Sequence, residues 1–368
     1  MIGRLVTGDR LRWALPWAAR RAARWVAPGA RARPRHLLVA LCDHFEPLHG
    51  GVPHAQGVAR VQAWRERYPA LAAEFRDDDG RPPRHSFFFP GEQYHPALVE
   101  PLAELCAAGL AEVEVHLHHD GDTRASLRPV LEQSLRDLAS HGVVPEVGGR
   151  PRWAFIHGNW ALANARRDGR WCGVDDELDL LFELGCYADF TFPSSPDECQ
   201  PRQTNALWYP EGDVRARRAH ERGAPASVGS RRDDRLLLVT GPVALARRPG
   251  SPRVRIEASA LTAKDPGTEA RLRTWLDAHV HVQGRPEWGF VKLHTHGAPE
   301  READSLLGAP QRGLHEALAR LRGEGVSLHY VTAREMFNVA LAAMDGLGGS
   351  PGDHRDYVVP PPSRATSG

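Results

Sequence analysis

The chain has 368 residues, of which 42% are hydrophobic and 25% charged, and its formal net charge is +1. That length buries a substantial core and suits one large α/β domain or two smaller ones. The balanced charge argues against nucleic acid as a partner. Five widely spaced cysteines, Cys42, Cys106, Cys172, Cys186 and Cys199, contain no Cys-x-x-Cys pair. They speak against a disulfide framework or a thiolate zinc site and fit a reducing cytoplasm.

Residues 1–35 read as a basic N-terminal extension. Nine arginines stand against a single acid, Asp9, and interleave with Leu11, Trp13, Leu15, Trp17 and Trp25. Residues 1–33 have the chemistry for weak contact with an anionic membrane surface. The plainer expectation is an extension that packs on the body or stays mobile, with Pro16 interrupting any long helix. No stretch reaches the roughly 18–20 apolar residues of a membrane span, and an apolar secretory core is lacking. All but Lys264 and Lys292 of the 47 basic residues are arginine, a coding bias without functional weight.

From residue 36 to 345, apolar β-branched runs alternate with segments of helical periodicity, which predicts a parallel α/β fold. A strand at 37–42 precedes a helix over 57–75, where Val58, Val61, Trp64, Tyr68 and Leu71 recur at helical spacing. Asp-Asp-Asp-Gly at 77–80 breaks the chain. Strands follow at 85–89, 112–118, 152–157, 188–192 and 236–239, with helices near 95–108, 124–141 and 175–184. The stretch 195–235 is rich in Pro, Arg, Gly and Asp and reads as a long loop or insertion near the pocket. A helix near 267–282, a strand at 288–294, a helix near 310–323, a strand at 327–332 and a helix over 333–344 complete the body. Seven or eight strands suffice to close a barrel. The Gly-, Pro- and Ser-rich tail 346–368 reads as disordered.

The chemistry collects at strand ends. Glu112-Val-Glu-Val-His-Leu-His-His-Asp-Gly-Asp122 runs from a strand into turn residues, and His116, His118, His119, Asp120 and Asp122 have the composition of a metal site. Side chains alternate along a strand, so His116 and His118 share a face. Imidazole and carboxylate ligands suit zinc or a similar divalent ion. The strand at 288–294 ends in His294 and His296, and the first strand runs into Asp43-His44-Phe45-Glu46. Three strands finishing in acids and imidazoles argue for one shared pocket at their carboxyl ends.

This order of motifs resembles the polysaccharide deacetylase superfamily of the nodulation-factor deacetylase type. The resemblance rests on Asp43-His44 after the first strand, Glu114-Val115 followed by His118 and Asp122, Phe155-Ile-His-Gly-Asn-Trp160, and Val291-Lys-Leu-His-Thr-His296. It implies a (β/α)7–8 barrel, of the distorted seven-stranded type, that hydrolyses the amide of an N-acetylated sugar or polysaccharide with one divalent ion, zinc foremost. His44, His118 and Asp122 would be the ligands, with His116 paired to Asp120 as the alternative register and Glu46 as a substitute ligand. Asp43 would be the base and His294, or His296 in its place, the acid. His157, Asn159 and Trp160 would lie along the substrate groove. The family's second aspartate in the first motif is replaced by His44, and its Arg-x-Pro-aromatic motif is absent. Two other readings stay open: a two- or three-metal amidohydrolase or phosphoesterase, and an inactive glycan-binding barrel.

Overall fold

The computed structural model describes residues 11–26, 34–247 and 252–363. A nine-stranded, mostly parallel sheet is built from β1 (His36–His44), β2 (His85–Pro90), β3 (Ala111–Leu117), β4 (Trp153–His157), β5 (Cys186–Asp189), β6 (Leu207–Trp208), β7 (Leu237–Val239), β8 (Trp288–Thr295) and β9 (Ser327–Tyr330). The order is β8-β1-β2-β3-β4-β5-β7-β6, and only the β6–β7 pair is antiparallel. β1 is the hub. One edge runs along β8 from His36–Trp288 to Asp43–Thr295, while the other pairs with β9 over its first half and β2 over its second.

The helices are α1 (Ala14–Val26), α2 (His54–Ala73), α3 (Pro96–Ala107), α4 (Arg124–Ala139), α5 (Glu177–Glu183), α6 (Glu269–Ala278), α7 (Glu300–Leu306), α8 (Ala309–Arg320) and α9 (Ala333–Met344). Alternation along β1 separates two cores. Leu37 and Val39 pack with Val61, Trp64 and Tyr68 of α2, whereas Leu38, Ala40 and Cys42 pack on the opposite face with Ala154, Ile156, Phe190 and Phe290. α9 closes the second core, and all twelve of its residues are buried, as befits a helix apolar on most sides.

Lys292, buried on β8, donates its Nζ to the carbonyls of Phe190 (2.6 Å) and Phe192 (3.2 Å) just past β5. A Cβ on Gly241 would meet the Lys292 carbonyl at 2.4 Å. These contacts bring segments from distant parts of the strand order against one another. Residues 259–261 bind the free edge of β8, through His294 N to Ser259 O and Leu261 N to His294 O.

Several sequence expectations change. Pro16 sits in the first turn of α1, where a proline leaves no internal hydrogen bond unmade, so the helix continues to Val26. α1 docks on the body: Trp13 is buried and its indole N–H donates to Ser195 Oγ at 2.8 Å, while Arg12 binds the carbonyls of Glu198 and Gln200. The predicted helix over 267–282 stops at Ala278 because His279 takes a left-handed conformation. Residues 346–363 are packed rather than loose. Arg355 pairs with Asp77 and Asp79, and Val359 is fully buried. Among the described residues, no helix is long and apolar enough to cross a membrane.

Candidate metal centre

Parallel strands deliver their carboxyl ends to one side of a sheet, and three of those ends carry imidazoles. On the face that carries Leu38, Ala40 and Cys42, His44 closes β1, His116 lies near the end of β3 and His294 near the end of β8. The His44 ring lies 5.0 Å from that of His116, 4.7 Å from His296 and 6.1 Å from His294, centroid to centroid. Glu46, two residues past β1, stands at the centre. Its Oε1 is 3.5 Å from His116 Nε2, 3.7 Å from His118 Nε2 and 3.9 Å from His296 Nε2. Its Oε2 accepts from His49 Nδ1 at 2.8 Å.

Two rings are held from behind. Nδ1 of His116 donates to the Ile156 carbonyl at 2.9 Å, and Nδ1 of His118 donates to Glu92 at 2.6 Å. Each ring therefore has its Nδ1 engaged and its Nε2 turned toward Glu46, the arrangement by which an outer hydrogen bond orients a ligand histidine. A Cβ on Gly158 would overlap the His118 ring at 2.4 Å, so only glycine leaves the ring this seat.

The electrostatics differ from group to group. Burial, reinforced by His296, His116, His294 and Lys292, holds His44 well below the usual imidazole range. Burial pushes the Glu46 carboxyl up, but His116, His49 and His296 outweigh it and hold the group at about 2. The site thus offers a carboxylate at Glu46 and a neutral imidazole at His44, while at His118 burial pulls the imidazole down but Glu92 and Glu46 outweigh it and raise it. Both ring nitrogens of His44 and Nε2 of His116 are buried without a hydrogen-bond partner. Such orphaned groups cost about 1–3 kcal/mol each. A divalent ion bound by Glu46 and the imidazoles would relieve that cost, and the donor set fits zinc. His44, Glu46 and His296 form one triad of ligand atoms within 4.8 Å of one another; Glu46, His116 and His118 form a second.

The expected ligand set is thus only partly brought together. His44, His116 and His118 converge, but Asp122 does not join them. Its carboxylate accepts from Ser126 Oγ at 2.6 Å and lies 3.2 Å from His119 Nδ1. Asp120 accepts from the Trp171 amide instead of pairing with His116. Glu46 takes the carboxylate position. Asp43, expected as the base, points to the opposite face of β1 from His44, as alternation requires. There it is fully buried, accepting from Gly297 N at 2.6 Å and His85 Nε2 at 2.9 Å. Neither oxygen is left to face the imidazoles.

A cleft of about 700 Å3 opens beside the cluster, lined by His294, His296, Trp160, Arg166 and residues 193–198. His294, Trp160 and the 195–235 segment thus meet at one cavity. His157 lies elsewhere, fully buried with Nε2 3.8 Å from Glu177, and Asn159 is not among the residues lining the cleft. Burial first, then Lys292 and His296, holds His294 well below the usual imidazole range, and its Nδ1 has no partner. Residues without a sequence signal also matter: Glu92 lies in a single 3-10 turn (Gly91–Gln93) and His49 in a turn after β1, where no periodicity announces their direction. No protein-family model, curated protein or solved structure matches this chain.

Proposed function

We propose that the chain is a metal-dependent hydrolase that removes the acetyl group from an N-acetylated sugar or polysaccharide, on a distorted β/α barrel of the deacetylase kind. The observation that carries this reading is the meeting of Glu46 Oε1 with the Nε2 atoms of His116, His118 and His296 beside the 700 Å3 cleft. The motif order along β1, β3 and β8 supports the carbohydrate amide. The Lys292 contacts to Phe190 and Phe192 support barrel closure. Five free cysteines support a cytoplasmic location.

Glu46, His116 and His118, with His44 and His296 at hand, would hold a divalent ion, which would supply a Lewis acid for the acetamide carbonyl and would lower the pKa of water toward ~7. The protein's own groups do the rest. Glu92 and the Ile156 carbonyl keep His118 and His116 in the tautomer that presents Nε2. His294, neutral and facing the cleft, accepts a proton from the attacking water and returns it to the departing amine. Asp43 holds Gly297, and through it the turn that carries His296. Trp160 offers a flat face to a sugar ring.

A second reading has one observation behind it. Glu46 belongs to both triads, which is where a carboxylate bridging two ions would sit. Acetate release from chitin oligomers and other N-acetylated glycans, measured with and without chelation, tests the first reading. Glu46→Gln and His116→Ala should each lose metal and turnover together. Turnover that survives chelation and both substitutions rules it out, while two ions lost together on Glu46→Gln favour the bridged centre.

A further inference from the structure

His118 and His119 are neighbours on an extended chain and so point to opposite sides. His118 joins Glu46. His119 joins a separate group with His157 at the end of β4, Cys172 in the loop that follows, and Glu177 at the start of α5. These four are buried, and their ligand atoms lie within 4.8 Å of one another. We propose that they form a second, structural site for a zinc-class divalent ion, which staples the cleft-wall loop 158–176 to the ends of β3 and β4.

The distances suit a tetrahedron. Bonds of about 2.0–2.3 Å to N, O and S put neighbouring ligand atoms roughly 3.3–3.7 Å apart. His119 Nε2 lies 3.1 Å from Glu177 Oε1, His157 Nε2 3.8 Å from the same oxygen, and Cys172 Sγ 3.5 Å from Glu177 Oε2. The charges balance, since a thiolate and a carboxylate neutralise a dication in a place without solvent. His157 Nε2 is fully buried and has no hydrogen-bond partner.

An outer partner is also in place. With the ion at Nε2, the proton of His119 moves to Nδ1, an atom otherwise without a hydrogen bond. Asp122 Oδ2 lies 3.2 Å from it, ready to accept. This gives Asp122 a supporting part at a neighbouring site. His157 would give up the 3.3 Å contact of its Nδ1 with Asn159 N, and the Cys172 thiol would release one proton to solvent.

The loop bears the mark of an external restraint. Between β4 and α5 there is no helix or strand, and Trp160, Ala163, Asn164 and Trp171 all take positive φ. Non-glycine residues in that region persist where surrounding contacts over-determine them. Trp160 and Arg166 of this loop wall the cleft, so the ion would hold the cleft's shape without touching substrate.

Reconstitution of the full chain with cobalt(II) tests the site, because only this one contains a thiolate. Wild type and Glu46→Gln should both show thiolate-to-cobalt charge-transfer absorption in the near ultraviolet, and Cys172→Ser should lose it. By elemental analysis, Glu46→Gln should retain the ion that Cys172→Ser loses. Cys172→Ser should weaken zinc binding at this site by roughly 10–100-fold or more. If Cys172→Ser does not fold, wild type and Glu177→Gln decide: the band present in the first and lost in the second supports the site. A fully loaded wild type without the band, or a band that survives in Cys172→Ser or Glu177→Gln, overturns it. Failure at Glu46 with the band intact would sink the hydrolase reading alone.

Discussion

Removing the Asp43 carboxylate is the most informative single change, because it separates a proton-transfer role from a positioning one. Asp43 is fully buried and receives two hydrogen bonds, from Gly297 N and His85 Nε2. Bonds to a charged group contribute about 1.5–3 kcal/mol each, so Asp43→Ala should cost ~3–6 kcal/mol. Unfolding entropy of about 2.1 cal/mol/K per residue gives ~0.8 kcal/mol/K for 368 residues. The expected drop in Tm is therefore about 4–8 °C. Gly297 follows His296 directly and sits so close that a Cβ there would meet Asp43 Oδ2 at 2.2 Å. Loosening this turn should displace His296 and weaken zinc binding by about 10–100-fold, as for other lost outer partners of a ligand. Asp43→Asn keeps an acceptor for Gly297 N and should fall between wild type and alanine on both measures. Thermal melts with and without zinc, together with zinc titration, provide the assay. An Asp43→Asn protein with unchanged Tm and zinc affinity but abolished turnover refutes the positioning role and makes the carboxylate the base.

Three further outcomes are expected. Burial pushes the Glu114 carboxyl up to about 8, against the opposing bonds from Tyr187 and Ala154 N. A carboxyl favoured as the neutral acid in the fold gives stability that is complete below its ordinary value near 4.5 and lost as pH rises through about 8. At about 1.4 kcal/mol per pH unit the loss is at most ~5 kcal/mol. Glu114→Gln should flatten much of that slope in urea unfolding at pH 5 and pH 8, leaving the part due to Asp189, which burial raises to about 7; a variant less stable than wild type at pH 8 contradicts this. Trp13→Ala should cost about 3–5 kcal/mol and, by freeing Ser195 on the cleft wall, raise KM while metal content stays constant; an unchanged KM and Tm would detach α1 from the cleft. Gly158→Ala should push the His118 ring from its seat and lower metal content measured by elemental analysis, whereas full loading would show that the ring yields freely.

Much of this arrangement was legible because strands carry a strict period. The runs ending in His44, His116 and His294 read as buried strands, and each does end in the same cluster. The parity of β1 was readable too, since Asp43 and His44 are adjacent and only one of them can share a face with Leu38, Ala40 and Cys42. The adjacent base and ligand expected of Asp43 and His44 by resemblance obscured that rule. The choice between Asp122 and Glu46 was not legible, because both lie in turns whose course depends on tertiary contacts. Cys172 and Glu177 gave no signal at all, being brought to His119 and His157 by a loop with no periodicity. Over the described part of the tail, residues 346–363, composition misled: Gly, Pro and Ser suggest disorder, yet Arg355 pairs with Asp77 and Asp79.

β1 has a further consequence for how the chain comes to be folded at all. It is the first strand of the sheet to be synthesised, yet one whole edge belongs to β8 and half of the other to β9. The bond from Gly297 to Asp43 spans 254 residues. During translation the hub strand must wait, its apolar run and open edge unpaired, until β8 has left the ribosome. Folding gated by such distant pairings is slow, and its half-made intermediates expose the kind of edge that other chains adhere to. Expression at lower temperature or with a holdase chaperone should therefore raise soluble yield more than any substitution at the histidine cluster.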